Sequence, residues 1–226
     1  MSLQGKVALI TGGAKNLGAL IAQEFAAIGA SLALHYNSER TKNDADKLGE
    51  LLSQKFPNTK VSFYQGDLTT KAACDKLFDS VMKDFGKLDI VINTVGMVLK
   101  KPLAEVSEEE YDKMFEYVLD CLIVEQALIS ISINSKAAFF IMQGAAKNIT
   151  DEGRIVSLVT ALLGGFTGYY TPYAGSKAPV EHFTRGLSKE LADRKITVNA
   201  VAPGPMDTRE STTTDVSGFV ITADVP

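Results

Sequence analysis

The chain is most constrained by an apolar run near its start that breaks into a glycine-rich turn. Val7 to Ile10 is a continuous aliphatic run, which is typical of a buried parallel strand. Gly12, Gly13 and Gly18 follow it, and an amphipathic segment, Ala19–Ile28, comes next. Glycines let the backbone turn sharply and approach a ligand, and the N-terminus of a helix favours an anion. The pattern predicts a phosphate site, although strand-to-helix turns also use glycine for purely steric reasons.

Length and charge narrow the class of protein. At 226 residues we expect one α/β domain, and the net charge of −4 without a basic cluster argues against nucleic acid or an anionic membrane as the main partner. Because no charged-then-apolar leader precedes the first strand, we expect a cytoplasmic protein. Cys74 and Cys121 lie far apart and lack histidines at ligand spacing, which predicts reduced thiols and no metal site.

Strand-like and helix-like segments alternate along the whole chain. The expected strands are Val7–Ile10, Ser31–Tyr36, Lys60–Tyr64, Leu88–Ile92, Arg154–Val159 and Ile196–Val201, and the expected helices are Ala19–Ile28, Asp44–Gln54, Lys71–Phe85, a long region from Ser107 to Asn148, and Tyr173–Arg194. Ser107 and Glu110 form a plausible capping box. Alternation with short loops predicts an α/β fold with a doubly wound parallel sheet and helices on both faces. Ligands of such sheets bind at the carboxyl ends of the strands, where the glycine turn falls.

Five short stretches occur in a characteristic order. They are TGGAKNLG at Thr11–Gly18, Asp67-Leu68, NTVG at Asn93–Gly96, YAGSK at Tyr173–Lys177, and Pro203-Gly204. The first resembles the TGxxxGxG turn of the short-chain dehydrogenase/reductase family, the third resembles its NNAG, and the fourth matches its YxxxK. By these motifs the chain is identified as a member of that family from about Gly5 to Thr208. The resemblance implies a single-domain Rossmann-type fold and an oxidoreductase that uses a nicotinamide cofactor.

A tyrosine and a lysine are the first candidates for catalysis. Tyr173 and Lys177 are four residues apart on a predicted helix and therefore share one face. An ammonium near a phenol favours the phenolate, so we expect Lys177 to lower the pKa of Tyr173 and Tyr173 to exchange the proton. The resemblance also gives Lys177 a contact with the nicotinamide ribose. The alternative is a tyrosine and a lysine on an ordinary helix surface.

Two further catalytic candidates follow from the resemblance. The family places a serine thirteen residues before the tyrosine, and this chain has Thr160 there, whose hydroxyl can donate the same hydrogen bond. Ser157 is the nearest serine, and we expect it to be structural. Asn134 matches the asparagine whose backbone holds a proton-relay water in the family; the alternative is an ordinary polar helix residue.

The end of the second strand indicates which cofactor is used. It lacks the carboxylate that NAD-binding sites place on the ribose 2′-hydroxyl, while Arg40 follows closely and Lys15 lies inside the glycine turn. These residues predict that the cofactor is NADP(H). The alternative is that Lys15 and Arg40 are ordinary solvated charges on the surface. By resemblance, Asp67 contacts the adenine and Thr208 contacts the carboxamide of the cofactor, while Asn16 stands where the family usually has a glycine. We expect His35 and His182 to be structural. The full set of expected cofactor contacts is Gly12, Lys15, Asn16, Leu17, Gly18, Asn37, Ser38, Arg40, Asp67, Leu68, Asn93, Gly96, Tyr173, Lys177, Pro203, Gly204 and Thr208.

Two departures from the family pattern bear on activity. Residues 117–132 form an apparent insertion rich in leucine, isoleucine and valine, and an in-line helical extension of that length would turn Asn134 away from the site. After the catalytic Rossmann domain, 1–208, the tail 209–226 is shorter than the family's. We therefore expect an NADPH-dependent carbonyl reductase acting on a ketone, quinone or alcohol, or a non-catalytic NADP(H)-binding or interaction protein derived from one. The resemblance also implies a homo-oligomer, a dimer or tetramer, with contacts through Phe139, Phe140, Phe183 and Leu187.

Overall fold

The computed structural model describes residues 2–115 and 133–205. Its strands are β1 (Val7–Thr11), β2 (Ser31–Tyr36), β3 (Val61–Gln65), β4 (Ile90–Asn93), β5 (Arg154–Leu158) and β6 (Thr197–Val201). Its α-helices are α1 (Asn16–Ala27), α2 (Lys42–Lys55), α3 (Lys71–Phe85), α4 (Glu108–Phe115), α5 (Lys136–Asn148) and α6 (Thr171–Glu190). The predicted segment 117–132, the tail 209–226, Cys121 and Thr208 lie outside the described residues.

The six strands form one sheet in the order β3-β2-β1-β4-β5-β6. Every neighbouring pair is parallel. The chain moves outward from β1 in one direction through β3 and then in the other direction from β4 to β6. The point where the strand order reverses therefore lies between the carboxyl ends of β1 and β4, and this is where such sheets bind ligands.

Helices cover both faces of the sheet, as predicted. On one face Leu9 and Val91 pack with Phe78 of α3 and Ile141 of α5 in one core cluster. On the other face Ile10 and its neighbours pack against α1 and α2 in a second cluster. All five residues of β1 are buried, so this strand is central to both layers. The predicted doubly wound α/β domain is confirmed.

Most predicted element bounds are correct to within a few residues. The capping box at the start of α4 is present, because Glu110 accepts the Ser107 N–H at 2.9 Å and the Ser107 hydroxyl accepts the Glu110 N–H at 3.2 Å. The predicted continuous helix from Ser107 to Asn148 is wrong in its described part, since residues 133–135 form a turn before α5. The last predicted helix ends at Glu190, not Arg194, because the chain tightens into a separate 3-10 turn that Lys195 closes with a φ of +55°.

Candidate active site

The turn between β1 and α1 is packed too tightly for most side chains. Gly12 has a φ of +67°, and a Cβ there would lie 2.7 Å from the hydroxyl oxygen of Thr94. A Cβ on Gly18 would lie 2.2 Å from the carbonyl oxygen of Gly12. Asn16 also adopts a positive φ, of 50°, which asparagine tolerates better than most residues and which explains how it replaces a glycine. The turn therefore presents backbone, not side chains, at the start of α1.

A cleft of about 680 Å³ opens at the carboxyl ends of β1 to β4. Its walls come from the glycine turn, the end of β2, the loop after β3 and the loop after β4. Much of the predicted cofactor set lines it: Gly12, Lys15, Asn16, Leu17, Gly18, Asn37, Ser38, Arg40, Asp67, Leu68 and Gly96. Lys15 and Arg40, which are 25 positions apart in sequence, thus share one cleft, and the fold brings the predicted phosphate-binding bases together.

Asn93 and the Pro203-Gly204 loop, two further predicted contacts, are held at the ends of the strands. Asn93 is buried, and its side-chain oxygen accepts the Thr11 hydroxyl at 2.9 Å and the Val95 N–H at 3.2 Å, which joins the ends of β1 and β4. The Pro203 carbonyl accepts the Ala161 N–H at 2.9 Å, so the Pro203-Gly204 loop adjoins the loop after β5.

Lys177 lies directly behind the wall of the cleft. Its side chain is buried, and its Nζ donates to the carbonyl oxygens of Val95 at 3.2 Å and Leu158 at 3.1 Å. A Cβ on Gly96 would come within 2.6 Å of that Nζ. Because Gly96 and Leu158 line the cleft, the ammonium lies against residues that form its wall. Burial lowers the pKa of Lys177 to about 8.

Tyr173 and Thr160 come together as the resemblance implied. Burial raises the pKa of Tyr173, and the neighbouring hydroxyl of Thr160 acts in the opposite direction without cancelling that effect. The prediction that Lys177 lowers the pKa of Tyr173 is therefore wrong for this structure. The physical reason is that the Lys177 ammonium donates to two backbone carbonyls, while burial raises the pKa of the phenol.

Asn134 reaches the site despite the segment that precedes it. It is completely buried in the turn before α5, and its side-chain oxygen accepts the Met97 N–H at 2.9 Å. Its amide nitrogen donates to the Met97 carbonyl at 3.0 Å and to the Ser176 hydroxyl at 3.0 Å. The side chain thus ties the loop after β4 to α6, next to Lys177, so Asn134 is not turned away as an in-line helical extension would require, and its expected part in a proton relay stays a prediction.

Ser157 and the two histidines were all expected to be structural. Ser157 is completely buried in β5, and its hydroxyl has no hydrogen-bond partner among the described residues, which fits the structural role expected of it. His182 is exposed on α6. His35, also expected to be structural, lies among the residues that line the cleft. His35 lies near the end of β2, shortly before the expected cofactor contacts, and this position could have indicated that it borders the cleft.

Two kinds of feature are absent from the described part of the chain. No helix in residues 2–115 and 133–205 combines the length and apolar character that crossing a membrane requires. The same residues bring together no cluster of three or more histidine, cysteine, aspartate or glutamate side chains suited to a metal ion.

Strand order, glycine turn and cleft together define a dinucleotide-binding protein of the Rossmann type. Comparison with known proteins makes this class more specific: the model of the short chain dehydrogenase family matches residues 6–216. The chain belongs to the short-chain dehydrogenase family of oxidoreductases.

Individual relatives agree with this assignment. The chain is 39% identical over 209 residues to the hydroxynaphthalene reductase-like protein Arp2 of Metarhizium brunneum, covering 92% of this chain and 70% of that protein. A putative dehydrogenase from Burkholderia cenocepacia with bound NADP is 50% identical, with a TM-score of 0.81 over 92% of this chain and 72% of that one. A blue fluorescent protein from a metagenomic library, in complex with NADPH, is 32% identical with a TM-score of 0.79, over 92% and 77% of the two chains.

Proposed function

We propose that this protein is an NADPH-dependent carbonyl reductase that acts on a ketone or quinone, or on the corresponding alcohol in reverse. The observation that carries the proposal is the placement of the Thr160 hydroxyl beside Tyr173, next to a cleft under which the Lys177 ammonium is buried. A paired phenol and hydroxyl are what a carbonyl oxygen needs from an enzyme that reduces it.

The cleft suits a phosphorylated dinucleotide. Its glycine turn exposes backbone at a helix N-terminus, where a pyrophosphate binds favourably. The residues at the end of β2, His35 to Ser38, include no carboxylate, while Lys15 and Arg40 line the same cleft and suit a 2′-phosphate. Two relatives of known structure hold NADP or NADPH, which supports the same choice of cofactor.

The described residues divide the chemical work. The cleft residues would hold NADPH, which when bound would supply a hydride to the carbonyl carbon of the substrate. Tyr173 then donates a proton to the carbonyl oxygen, and its raised pKa keeps the phenol protonated at neutral pH, which suits a donor. Thr160 donates a hydrogen bond to the same oxygen and stabilises the negative charge that develops there. Lys177, with a pKa of about 8, remains mostly protonated near neutrality and keeps a positive charge close to the reaction.

Assembly as a homo-oligomer also stays a proposal. Of the residues expected at the contact, Phe140 and Leu187 pack partly against the core of their own chain. Phe139 is different, because it exposes 42% of its surface and its ring lies 5.3 Å from that of Phe183. This edge-to-face pair offers an apolar surface on α5 and α6 for a second copy.

Cofactor choice and turnover are tested together. We expect NADPH to bind more tightly than NADH in fluorescence titrations, and the double variant Lys15→Ala/Arg40→Ala to lose about tenfold or more of that preference, because hydrogen bonds to charged groups contribute roughly 1.5 to 3 kcal/mol. Lys55→Ala, at the far end of α2, is the matched control and should leave the preference unchanged.

Turnover is then followed at 340 nm with a panel of ketones, quinones and diketones. Consumption of NADPH that depends on a member of the panel supports the reductase. Equal binding of NADH and NADPH would contradict the cofactor assignment, and NADPH binding without turnover on any substrate would favour the non-catalytic alternative.

A further inference from the structure

One buried histidine contacts three of the segments that form the cleft. His35 lies near the end of β2 and is only 2% exposed. The Gly12 N–H donates to its Nδ1 at 3.2 Å, and its Nε2 lies 2.7 Å from the Gly66 carbonyl oxygen. Its own carbonyl oxygen accepts the Gly13 N–H at 2.8 Å. His35 therefore joins the glycine turn, the end of β2 and the loop after β3.

These contacts fix the protonation state of the ring. A backbone N–H can only donate, so Nδ1 must accept from Gly12, and Nε2 must carry the proton that it donates to Gly66. An imidazolium would instead direct a second N–H at the Gly12 N–H. Burial lowers the pKa of His35 to about 4, although the Gly66 carbonyl and the nearby charge of Asp67 act in the opposite direction. The ring is neutral at physiological pH.

The two segments that the ring joins both serve the cleft. Gly12 belongs to the turn that faces the pyrophosphate in the proposed function, and Gly66 directly precedes Asp67, which lines the cleft where the adenine is expected. Gly12 of the turn and Gly66 of this loop are 54 positions apart in sequence, so their spacing depends on contacts such as these. A ligand that bridges them binds better when the spacing is set in advance, since less ordering is needed on binding.

We propose that His35 is a positioning residue for the dinucleotide cofactor, holding the glycine turn and the loop after β3 at the separation that the cofactor spans. The inference rests on the proposed function, since it takes the cleft to be a dinucleotide site. It assigns His35 no contact with the reacting atoms, so it predicts an effect on cofactor binding and not on the chemical step.

Three substitutions of His35 test the two hydrogen bonds of its ring separately. His35→Asn keeps an acceptor near the position of Nδ1, His35→Gln keeps a donor near that of Nε2, and His35→Leu fills the space with neither. Leu32→Val is the matched control, since Leu32 is a completely buried residue of the same strand outside the cleft. We expect His35→Leu to raise the Kd for NADPH about tenfold and each single-bond variant to raise it less, in line with one or two buried hydrogen bonds. Leu32→Val should change it less than about twofold while lowering the melting temperature.

Turnover and NADPH affinity, measured separately, distinguish a positioning role from a general loss of structure. At saturating NADPH the turnover number of each His35 variant should stay within about threefold of the parent. The proposal is overturned if His35→Leu binds NADPH as tightly as the parent, or if Leu32→Val weakens binding to the same extent. If His35→Leu fails to fold, the Asn and Gln variants decide the question. The proposal is then overturned if both variants bind NADPH as tightly as the parent.

A second readout needs no cofactor. In NMR spectra, we expect the His35 ring to remain the Nε2–H tautomer down to about pH 5, and the Gly12 amide to exchange about tenfold faster in His35→Leu than in the parent. Unchanged Gly12 exchange would overturn the role of His35 in holding the turn. If the parent binds no NADPH, the proposed function fails, and the Gly12 exchange still decides whether His35 holds the turn.

Discussion

Thr160 has two separate roles within a single hydroxyl group. It lies beside Tyr173 and acts on the pKa of that phenol, and its oxygen accepts the Leu162 N–H at 3.3 Å, which caps the 3-10 turn that follows β5. The side chain is only 5% exposed, so the hydroxyl works in a low-polarity environment where its hydrogen bonds count most. In the proposed mechanism, catalysis and local stability would depend on the same oxygen.

Substitutions of Thr160 should separate the hydroxyl from the methyl group. Thr160→Ser keeps the hydroxyl, so activity should be retained or rise, because the smaller side chain crowds the substrate less. Thr160→Val keeps the shape and should lose about a hundredfold in turnover together with about 1 kcal/mol of stability from the lost cap. Steady-state kinetics and thermal melts measure the two effects. If Thr160→Val turns over at the parent rate, the hydroxyl that assists the reaction belongs to another residue.

Single residues also show what the sequence alone did not provide. The motif positions of Tyr173, Lys177 and Thr160 were readable, and the fold brings Thr160 to Tyr173. The direction of the Tyr173 pKa shift was predicted wrongly, because it depends on burial and on where the Lys177 ammonium points. Those contacts join Lys177 to Val95, which is 82 positions away in sequence. The bridging role of His35 was missed for the same reason.

At the scale of elements, helices with strong local signals were predicted best. Helix α3 has the predicted bounds because Thr70 caps its start, where the hydroxyl accepts the Ala73 N–H at 3.2 Å, and Gly86 ends it in the left-handed conformation with a φ of +72°. Helix α1 begins earlier than predicted, at Asn16, because the glycine turn leads directly into it. That close junction is set by packing against the backbone of the turn, which periodicity does not report.

Two glycine-to-alanine variants test the junction between β1 and α1. One lies in the junction itself, and the other lies inside a helix and serves as the control. Gly18→Ala would place a Cβ 2.2 Å from a backbone carbonyl and 2.9 Å from the Gly13 Cα, so the turn must shift. We expect it to weaken NADPH binding about a hundredfold or more and to destabilise the fold by a few kcal/mol. Gly186→Ala lies in open space inside α6 and should stabilise the protein by about 0.5 to 1 kcal/mol with binding unchanged. Equal NADPH affinity for the Gly18→Ala variant and the parent would contradict the account of the turn.

At the scale of the whole molecule, the sheet separates two tasks. The cleft is built from loops after β1, β2, β3 and β4, whereas Tyr173 and Thr160 come from α6 and the end of β5. Strand alternation and motif order were enough to predict this arrangement, because a parallel sheet places the carboxyl ends of all its strands on one edge. The volume of the cleft and the contacts beneath it come only from the folded chain. Binding of the cofactor and proton transfer should therefore be separable by mutation.

The most direct test of the account is one variant measured in two ways. Tyr173→Phe removes the proposed proton donor and leaves the residues that line the cleft in place. With a substrate that the parent reduces, we predict that turnover at saturating NADPH falls about a thousandfold, within the range that general acids contribute. The Kd for NADPH should stay within about threefold of the parent, since only the phenol oxygen is lost. A Tyr173→Phe variant that retains the parent rate would contradict the assignment of Tyr173 as proton donor, and with it the proposed mechanism.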